Sequence, residues 1–252
     1  MKALILAAGY ATRLYPLTRN FPKPLLQVGD RTIIDFLLER LQGQGVIDRV
    51  FIVTNERYHP VFSRWAGRLG GEGRYRDFDL RIVNDGTRDN DTRLGAVADL
   101  ELAIAEGSID DDLLVAAGDN IFTFDFRELF DTFARRATDV VVVTRISEIE
   151  RRRRSGVVEL DADGRVTGFE EKPHHPKSEY ICPALYILRR GSLPLVSKYL
   201  AQGGQADAPG HFIAWLHRQV PVHAYVMRQS YYDIGTRESY EKVCATFAGA
   251  RE

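Results

Sequence analysis

The sequence predicts an α/β fold, an open and mostly parallel sheet with helices on both faces. Three observations lead there. Short apolar runs alternate with amphipathic stretches of helical length as far as about Glu150, the pattern of strands joined by helical crossovers. The first of those runs, Lys2–Leu6, is apolar beyond its lysine, as in a strand buried on both faces. A small-residue loop leaves the carboxyl end of the first run, the edge of an open parallel sheet at which ligands bind.

Lys2–Leu6 is the first strand. Asp30-Arg31-Thr32 gives a polar start to an amphipathic helix over Ile33–Leu41, and Gly43 and Gly45 end it. Arg49–Asn55 is a second strand, then comes a helix from about His59 to Leu69 and a break at Gly70–Gly73. Leu80–Asn84 is a third strand, and a helix from about Leu94 to Glu106 follows a polar loop. Leu113–Ala117 and Val140–Val143 are the fourth and fifth strands, with a helix over Phe126–Arg136 between them. Beyond about Glu150 the pattern changes. Val157–Leu160 and Arg165–Phe169 flank Asp161-Ala162-Asp163-Gly164 and read as a hairpin. A strand over about Tyr180–Leu188, helices over about Leu193–Ala201 and Phe212–Gln219, a strand over Val222–Met227 and a helix from about Arg237 complete the chain. With no repeat, low-complexity tract or linker, residues 1–252 are expected to form a single domain.

Composition narrows the function classes. A net charge of −1 argues against bulk nucleic-acid or membrane binding. Two cysteines, Cys182 and Cys244, make neither a disulfide framework nor a metal pattern. The histidines show no ligand spacing, so zinc is not expected. Met1-Lys2 leads straight into a core strand and no apolar run spans a bilayer, so a cytoplasmic setting is expected.

The stretch that carries most chemistry is Leu6-Ala7-Ala8-Gly9-Tyr10-Ala11-Thr12-Arg13-Leu14-Tyr15-Pro16-Leu17-Thr18, running on to Pro22-Lys23-Pro24-Leu25. Backbone N–H groups at Ala8, Gly9, Tyr10 and Ala11 form an anion nest. Arg13 supplies a two-pronged cation and Lys23 a point charge. Together these describe a nucleoside triphosphate site. Neither G-x-x-x-x-G-K-[ST] nor G-x-G-x-x-G is present. The span resembles the signature of the sugar-1-phosphate nucleotidylyltransferases, L-A-A-G-x-G-T-R-L-x-P-L-T followed by P-K-P-L. Ala11 stands where that signature has glycine and tolerates a positive φ poorly. The resemblance implies a Rossmann-like, GT-A-like nucleotidyltransferase fold with an inserted β-rich acceptor-binding portion. It implies a nucleotide-binding half to about residue 150 and a sugar-phosphate-binding half from about 151 to 252. It also makes Leu6, Ala8–Thr12 and Gly118 nucleotide-binding and Arg13 and Lys23 catalytic.

Other motifs follow in the family's order. Gly118-Asp119-Asn120 comes directly after the fourth strand, on the same sheet edge as the loop. Alone, Asp119 fits a turn cap as well as a Mg²⁺ ligand; the resemblance makes it a metal ligand. Tyr231-Tyr232-Asp233-Ile234-Gly235-Thr236 resembles the family's W-x-D-x-G-T, which makes Asp233 the second carboxylate. Asp233 would otherwise cap the last helix, a task Thr236 can do equally well. Phe169-Glu170-Glu171-Lys172-Pro173 carries the family's E-E-K-P, implying Glu171 on sugar hydroxyls and Lys172 on the sugar phosphate. Gly156 matches the Y-G-V-V glycine, and Tyr180 belongs to the same acceptor side. Asn84, Leu94 and Gly95 fall in the region that reads the base, without the Gln-Pro of thymidylyl and uridylyl enzymes, so the base stays open.

Three features lie outside that frame. Asp161-Ala162-Asp163 looks like a metal-binding D-x-D but reads as a turn. Arg151–Arg154 is a solvated face or a flap over an anionic acceptor. Pro183-Ala184 replaces the Thr-Gly of hexose enzymes, removing a hydroxyl and an N–H donor from the acceptor wall. The resemblance therefore implies an NTP and a sugar-1-phosphate or cyclitol phosphate as substrates and Mg²⁺ as cofactor, with self-association left open. The alternatives are a non-catalytic nucleotide-sugar sensor and an NDP-sugar-dependent glycosyltransferase.

Overall fold

The computed structural model describes residues 1–229 and 231–248. In chain order its elements begin with β1 (Lys2–Leu6), β2 (Gln27–Val28), β3 (Arg31–Thr32), α1 (Ile33–Leu41), β4 (Arg49–Thr54), α2 (His59–Glu72) and β5 (Asp79–Asn84). There follow α3 (Ala96–Glu106), β6 (Leu113–Ala117), β7 (Asn120–Phe122), α4 (Arg127–Arg136), β8 (Asp139–Arg145), α5 (Ile149–Arg152), β9 (Gly156–Leu160) and β10 (Val166–Glu171). The chain continues through β11 (Tyr180–Cys182), β12 (Leu185–Leu188), α6 (Pro194–Ala201), α7 (Pro209–Leu216), β13 (Val222–Val226), β14 (Tyr231–Asp233) and α8 (Arg237–Ala248). The α/β class expected from the sequence is observed.

Two compact units interleave along the chain. The first comprises Met1–Leu4, Leu94–Ala116 and Asp125–Arg228. Its strands run in the order β10, β9, β11, β8, β12, β6 and the start of β1, and β13 pairs with β8. The sheet is mixed. β13 lies parallel to β8, whereas β12 is antiparallel to both β6 and β8, and β9–β11 are antiparallel neighbours. The single strand expected over Tyr180–Leu188 is broken at Pro183-Ala184. Pro183 has no N–H for the ladder, and Ala184 takes a left-handed φ of 50°. The hairpin turn is as expected: Asp161 Oδ1 accepts from the N–H groups of Asp163 and Arg165, and Gly164 has φ +77°.

The second unit comprises Ile5–Arg93, Ala117–Phe124 and the chain from Gln229 on. It holds the end of β1, then β4 and β5, which pair in parallel from Arg49 with Asp79 to Thr54 with Asn84. Helix α1 starts at a capping box in which Asp35 accepts from Thr32 N and Thr32 Oγ1, and Tyr75 Oη donates to the same carboxylate at 2.7 Å. Helix α2 runs through the break expected at Gly70-Gly71 and stops at Gly73, φ +68°. Its buried Phe62, Trp65 and Leu69 anchor it, and packing outweighs the ~1 kcal/mol helix penalty of each glycine. The ribbon of β7 and β14 sets Asp233 opposite Asn120. A core of Leu14, Leu26, Val28, Ile33, Phe36, Ile121, Ile234 and Val243 lies beneath the loop that follows β1.

Candidate active site

The phosphate-loop candidate begins where β1 ends. Ala7 N donates to Val53 O at 2.8 Å, and Leu6 O accepts from Gly118 N at 2.9 Å, so the loop and the Gly118-Asp119 turn leave adjacent strand ends. Asn55 Nδ2 donates to Ala8 O at 2.8 Å while Asn55 Oδ1 accepts from Tyr58 N. Tyr58 Oη donates to Thr18 O at 2.5 Å, and Thr18 Oγ1 donates to Ala11 O at 2.7 Å. These bonds hold the loop carbonyls inward. Tyr10 is buried and its hydroxyl meets Thr87 Oγ1, so the side chain anchors the loop. Gly9 is exposed, and a Cβ there would meet nothing within 4 Å. Ala11 adopts φ 46°, ψ 44°, the left-handed conformation for which the family signature has glycine. Thr12 and the exposed Arg13 open the 3₁₀ turn that follows.

Lys23 and Asp119 form the charged centre of this unit. Lys23 Nζ lies 2.5 Å from Asp119 Oδ2 and donates to Ile234 O at 2.9 Å. The Lys23 side chain is 11% exposed and that of Asp119 34%. A Cβ on Gly118 would stand 3.1 Å from Ile5 Cγ2 and 3.2 Å from Leu6 O. Ile234 N donates to Asp119 O, tying the ribbon's second strand to the Gly-Asp turn. Around Gly235, a Cβ would lie 3.6 Å from Arg13 Nη2 and 3.7 Å from both Asp233 oxygens. Arg13, Lys23, Asp119 and Asp233 thus cluster about the β7–β14 ribbon. Two carboxylates of hard oxygen suit a hard divalent cation. Among the described residues no group of three or more His, Cys, Asp or Glu could hold a metal ion, so other ligands would come from substrate and water. Asn84, in the same unit, ends β5, donating to Glu56 in the segment after β4 and accepting from Gly86 N in the loop that follows.

Leu94 and Gly95 belong to the other unit. Leu94 is exposed. Gly95 has φ +96°, and a Cβ there would stand 2.6 Å from Ala206 O; Val97 N donates to that carbonyl. In the same unit Glu171 ends β10 opposite Gly156 in the ladder. Its side chain is 11% exposed and its Oε1 lies 3.6 Å from Lys172 Nζ. Burial raises the Glu171 carboxyl above its ordinary value, against the pull of Lys172 and His211. Lys172 takes φ 49°, directing the chain into the loop before β11. Tyr180, half-buried, starts β11, its N–H held by Ser178 Oγ. Cys182 is buried, with its thiol pushed up to about 12 by burial, and has no reactive character.

The sequence missed several supporting residues. Asn55 and Tyr58 hold the loop after β1, and Gly210 and His211 stand beside Glu171, far from it in sequence. Of the arginine run, Arg151, Arg153 and Arg154 are exposed, as a solvated face is, and Arg152 is half-buried. Arg152 donates to Ser178 O and Ser147 O, and Arg153 donates to His174 O, clasping the segment between β10 and β11. No local pattern marks these contacts.

The profile of the nucleotidyl transferase family matches residues 2–248, and the chain belongs to that family. It is 32% identical over 189 residues to a glucose-1-phosphate thymidylyltransferase of Streptomyces antibioticus, covering 74% of this chain and 49% of the relative. A glucose-1-phosphate adenylyltransferase of Bacillus subtilis is 29% identical over 259 residues, with 94% and 64% covered. A UTP–glucose-1-phosphate uridylyltransferase of Synechocystis is 29% identical over 247 residues, with 95% and 61% covered. The chain therefore spans about half to two thirds of these relatives' length. Among solved structures, a UDP-glucose pyrophosphorylase complexed with UDP-glucose superposes with TM-score 0.82 over 99% of each chain, at 18% identity; this likeness shows the fold.

Proposed function

We propose that the chain is a sugar-phosphate nucleotidylyltransferase, working as one domain in the cytoplasm with Mg²⁺. It would transfer NMP from an NTP to a sugar-1-phosphate or cyclitol phosphate. A phosphate oxygen of the acceptor forms a bond to the α-phosphorus; the bond from that phosphorus to the bridging oxygen breaks, and pyrophosphate leaves with the electron pair. The observation that carries this reading is the inward-held loop after β1 with Arg13, Lys23, Asp119 and Asp233 gathered on one ribbon. No nucleophile of the enzyme is required, so the residues position and neutralise charge.

Loop N–H groups would hold the triphosphate and Arg13 the leaving pyrophosphate. Lys23, released from Asp119, would neutralise charge at the α-phosphate. Asp119 and Asp233 would hold Mg²⁺, which when bound offsets triphosphate charge. Lys172 would hold the acceptor phosphate and Glu171 its hydroxyls. The three relatives named above differ in the base their names print, adenylyl, thymidylyl or uridylyl, so the donor is left as an NTP. Membership of the family and the full catalytic set favour an enzyme over a sensor. The test is pyrophosphate release with Mg²⁺ for ATP, CTP, GTP, UTP and dTTP crossed against sugar-1-phosphates and cyclitol phosphates. One productive pair is expected. Binding of NTP with no release for any pair would favour the sensor.

A further inference from the structure

We infer that Gly210, in the first turn of α7, is a positioning residue for acceptor recognition: it leaves the space that the Glu171 carboxylate occupies. The inference rests on the acceptor role proposed for Glu171. A Cβ at position 210 would stand 1.9 Å from Glu171 Oε2, 2.9 Å from Glu171 Cδ and 3.1 Å from Phe169 Cε1. No real side chain fits there without displacing the carboxylate. Conformation does not call for glycine at this position, because Gly210 lies in helix and its φ is not in the left-handed range. What the glycine supplies here is room.

The helix cannot easily move aside. Phe212 and Ile213 are buried, and Phe212 packs edge-on against Tyr199 at 5.6 Å. The opposite wall is equally tight. A Cβ on Gly156 would stand 2.6 Å from Phe169 Cζ and 3.1 Å from the same Glu171 Oε2. Glu171 Oε2 is therefore enclosed between two glycines that lie far apart in sequence, while Oε1 is the oxygen beside Lys172. The adjacent His211 pairs with Asp207 at 3.5 Å, and Asp207 Cα lies at the position that a Cβ on Gly95 would crowd. The first turn of α7 thus fixes one carboxylate oxygen and leaves the other beside the cation assigned to the acceptor phosphate.

The test is Gly210→Ala, read in two ways. The first follows the Glu171 carboxyl by carbon-13 NMR in the full chain, assigned with Glu171→Gln, and needs no substrate. In the parent protein it titrates above the ordinary carboxyl value; in Gly210→Ala, with the carboxylate pushed toward solvent, it returns toward that value. The second reads kinetics with α-D-glucose 1-phosphate and the best acceptor of the panel. The acceptor KM rises about tenfold, the loss of one charge-assisted hydrogen bond, and the NTP KM stays put. In a Glu171→Ala background the same glycine substitution leaves the acceptor KM unchanged, because the space is then vacant. An unmoved titration overturns the inference whatever the kinetics. A shifted titration with an unchanged acceptor KM removes Glu171 from acceptor recognition, and the reading it rests on falls instead.

Discussion

The two units put their charged groups in place by opposite means. In the unit holding the loop after β1, the key groups come from contiguous stretches, Ala8–Arg13, Lys23 and Gly118-Asp119, and the cation and carboxylate are already paired at 2.5 Å. In the unit holding β8–β13, Glu171 is seated by Gly156, Phe169 and Gly210, three elements that only the tertiary fold brings together. A site whose groups each sit in a contiguous motif is legible in the sequence, although the fold still brings Lys23 to Asp119. A site made of matched gaps is fixed by residues that carry no chemistry of their own. Damage to the first should therefore fall on turnover, and damage to the second on selectivity.

The largest expected effect lies in the first unit. Lys23→Ala or Arg13→Ala should lower kcat by on the order of 10³-fold, as loss of a transition-state cation does in phosphoryl transfer. Near-normal turnover in a folded variant would remove either residue from the chemistry. Next comes Asn55→Ala, which removes the side-chain donor to the buried Ala8 carbonyl and leaves Tyr58 N–H only its backbone bond to Asn55 O. It should cost about 1–3 kcal/mol by denaturant unfolding and raise the NTP KM, leaving the acceptor KM alone.

A subtler contrast is pH dependence. Burial raises the Glu171 carboxyl in the folded state, so the folded protein holds that proton more tightly than the unfolded chain. The stability it contributes is present below the ordinary value of 4.5 and is lost as pH rises through the raised value. Glu171→Gln should flatten that part of the stability–pH profile; an identical slope would mean the carboxylate is not buried as described. The smallest effect is at Ala11. Its left-handed backbone costs about 1 kcal/mol for a residue with a Cβ, partly offset by the greater unfolded-state freedom of glycine. Ala11→Gly should stabilise by at most about 1 kcal/mol in a denaturation midpoint. A loss would show that the methyl group, which packs on the core under the loop, outweighs the backbone strain.

Much of this was legible in the sequence, and its limits follow from physics. Apolar runs such as Leu113–Ala117 and amphipathic stretches such as Ile33–Leu41 announce themselves by period, and both match the observed bounds. The β7–β14 ribbon did not, because strands of three residues have no period to read. Pro183 does mark a position where a ladder fails, and β11 and β12 part there. The clasp of Arg152 and Arg153 on backbone carbonyls leaves no pattern, because any sequence presents a carbonyl. Gly210 falls before the helix expected from about Phe212 and carries no signal until Glu171 is seen against it.

The central claim is that the chain transfers a nucleotidyl group to a phosphorylated acceptor. The most direct measurement follows NTP labelled at the α-phosphorus through a single turnover with Mg²⁺ and the best acceptor from the panel. The account predicts that label leaves NTP for an NDP-linked product in step with one equivalent of unlabelled pyrophosphate, and that Lys23→Ala abolishes both. Label that stays in NTP for every acceptor, or that appears only as free NMP, would contradict it.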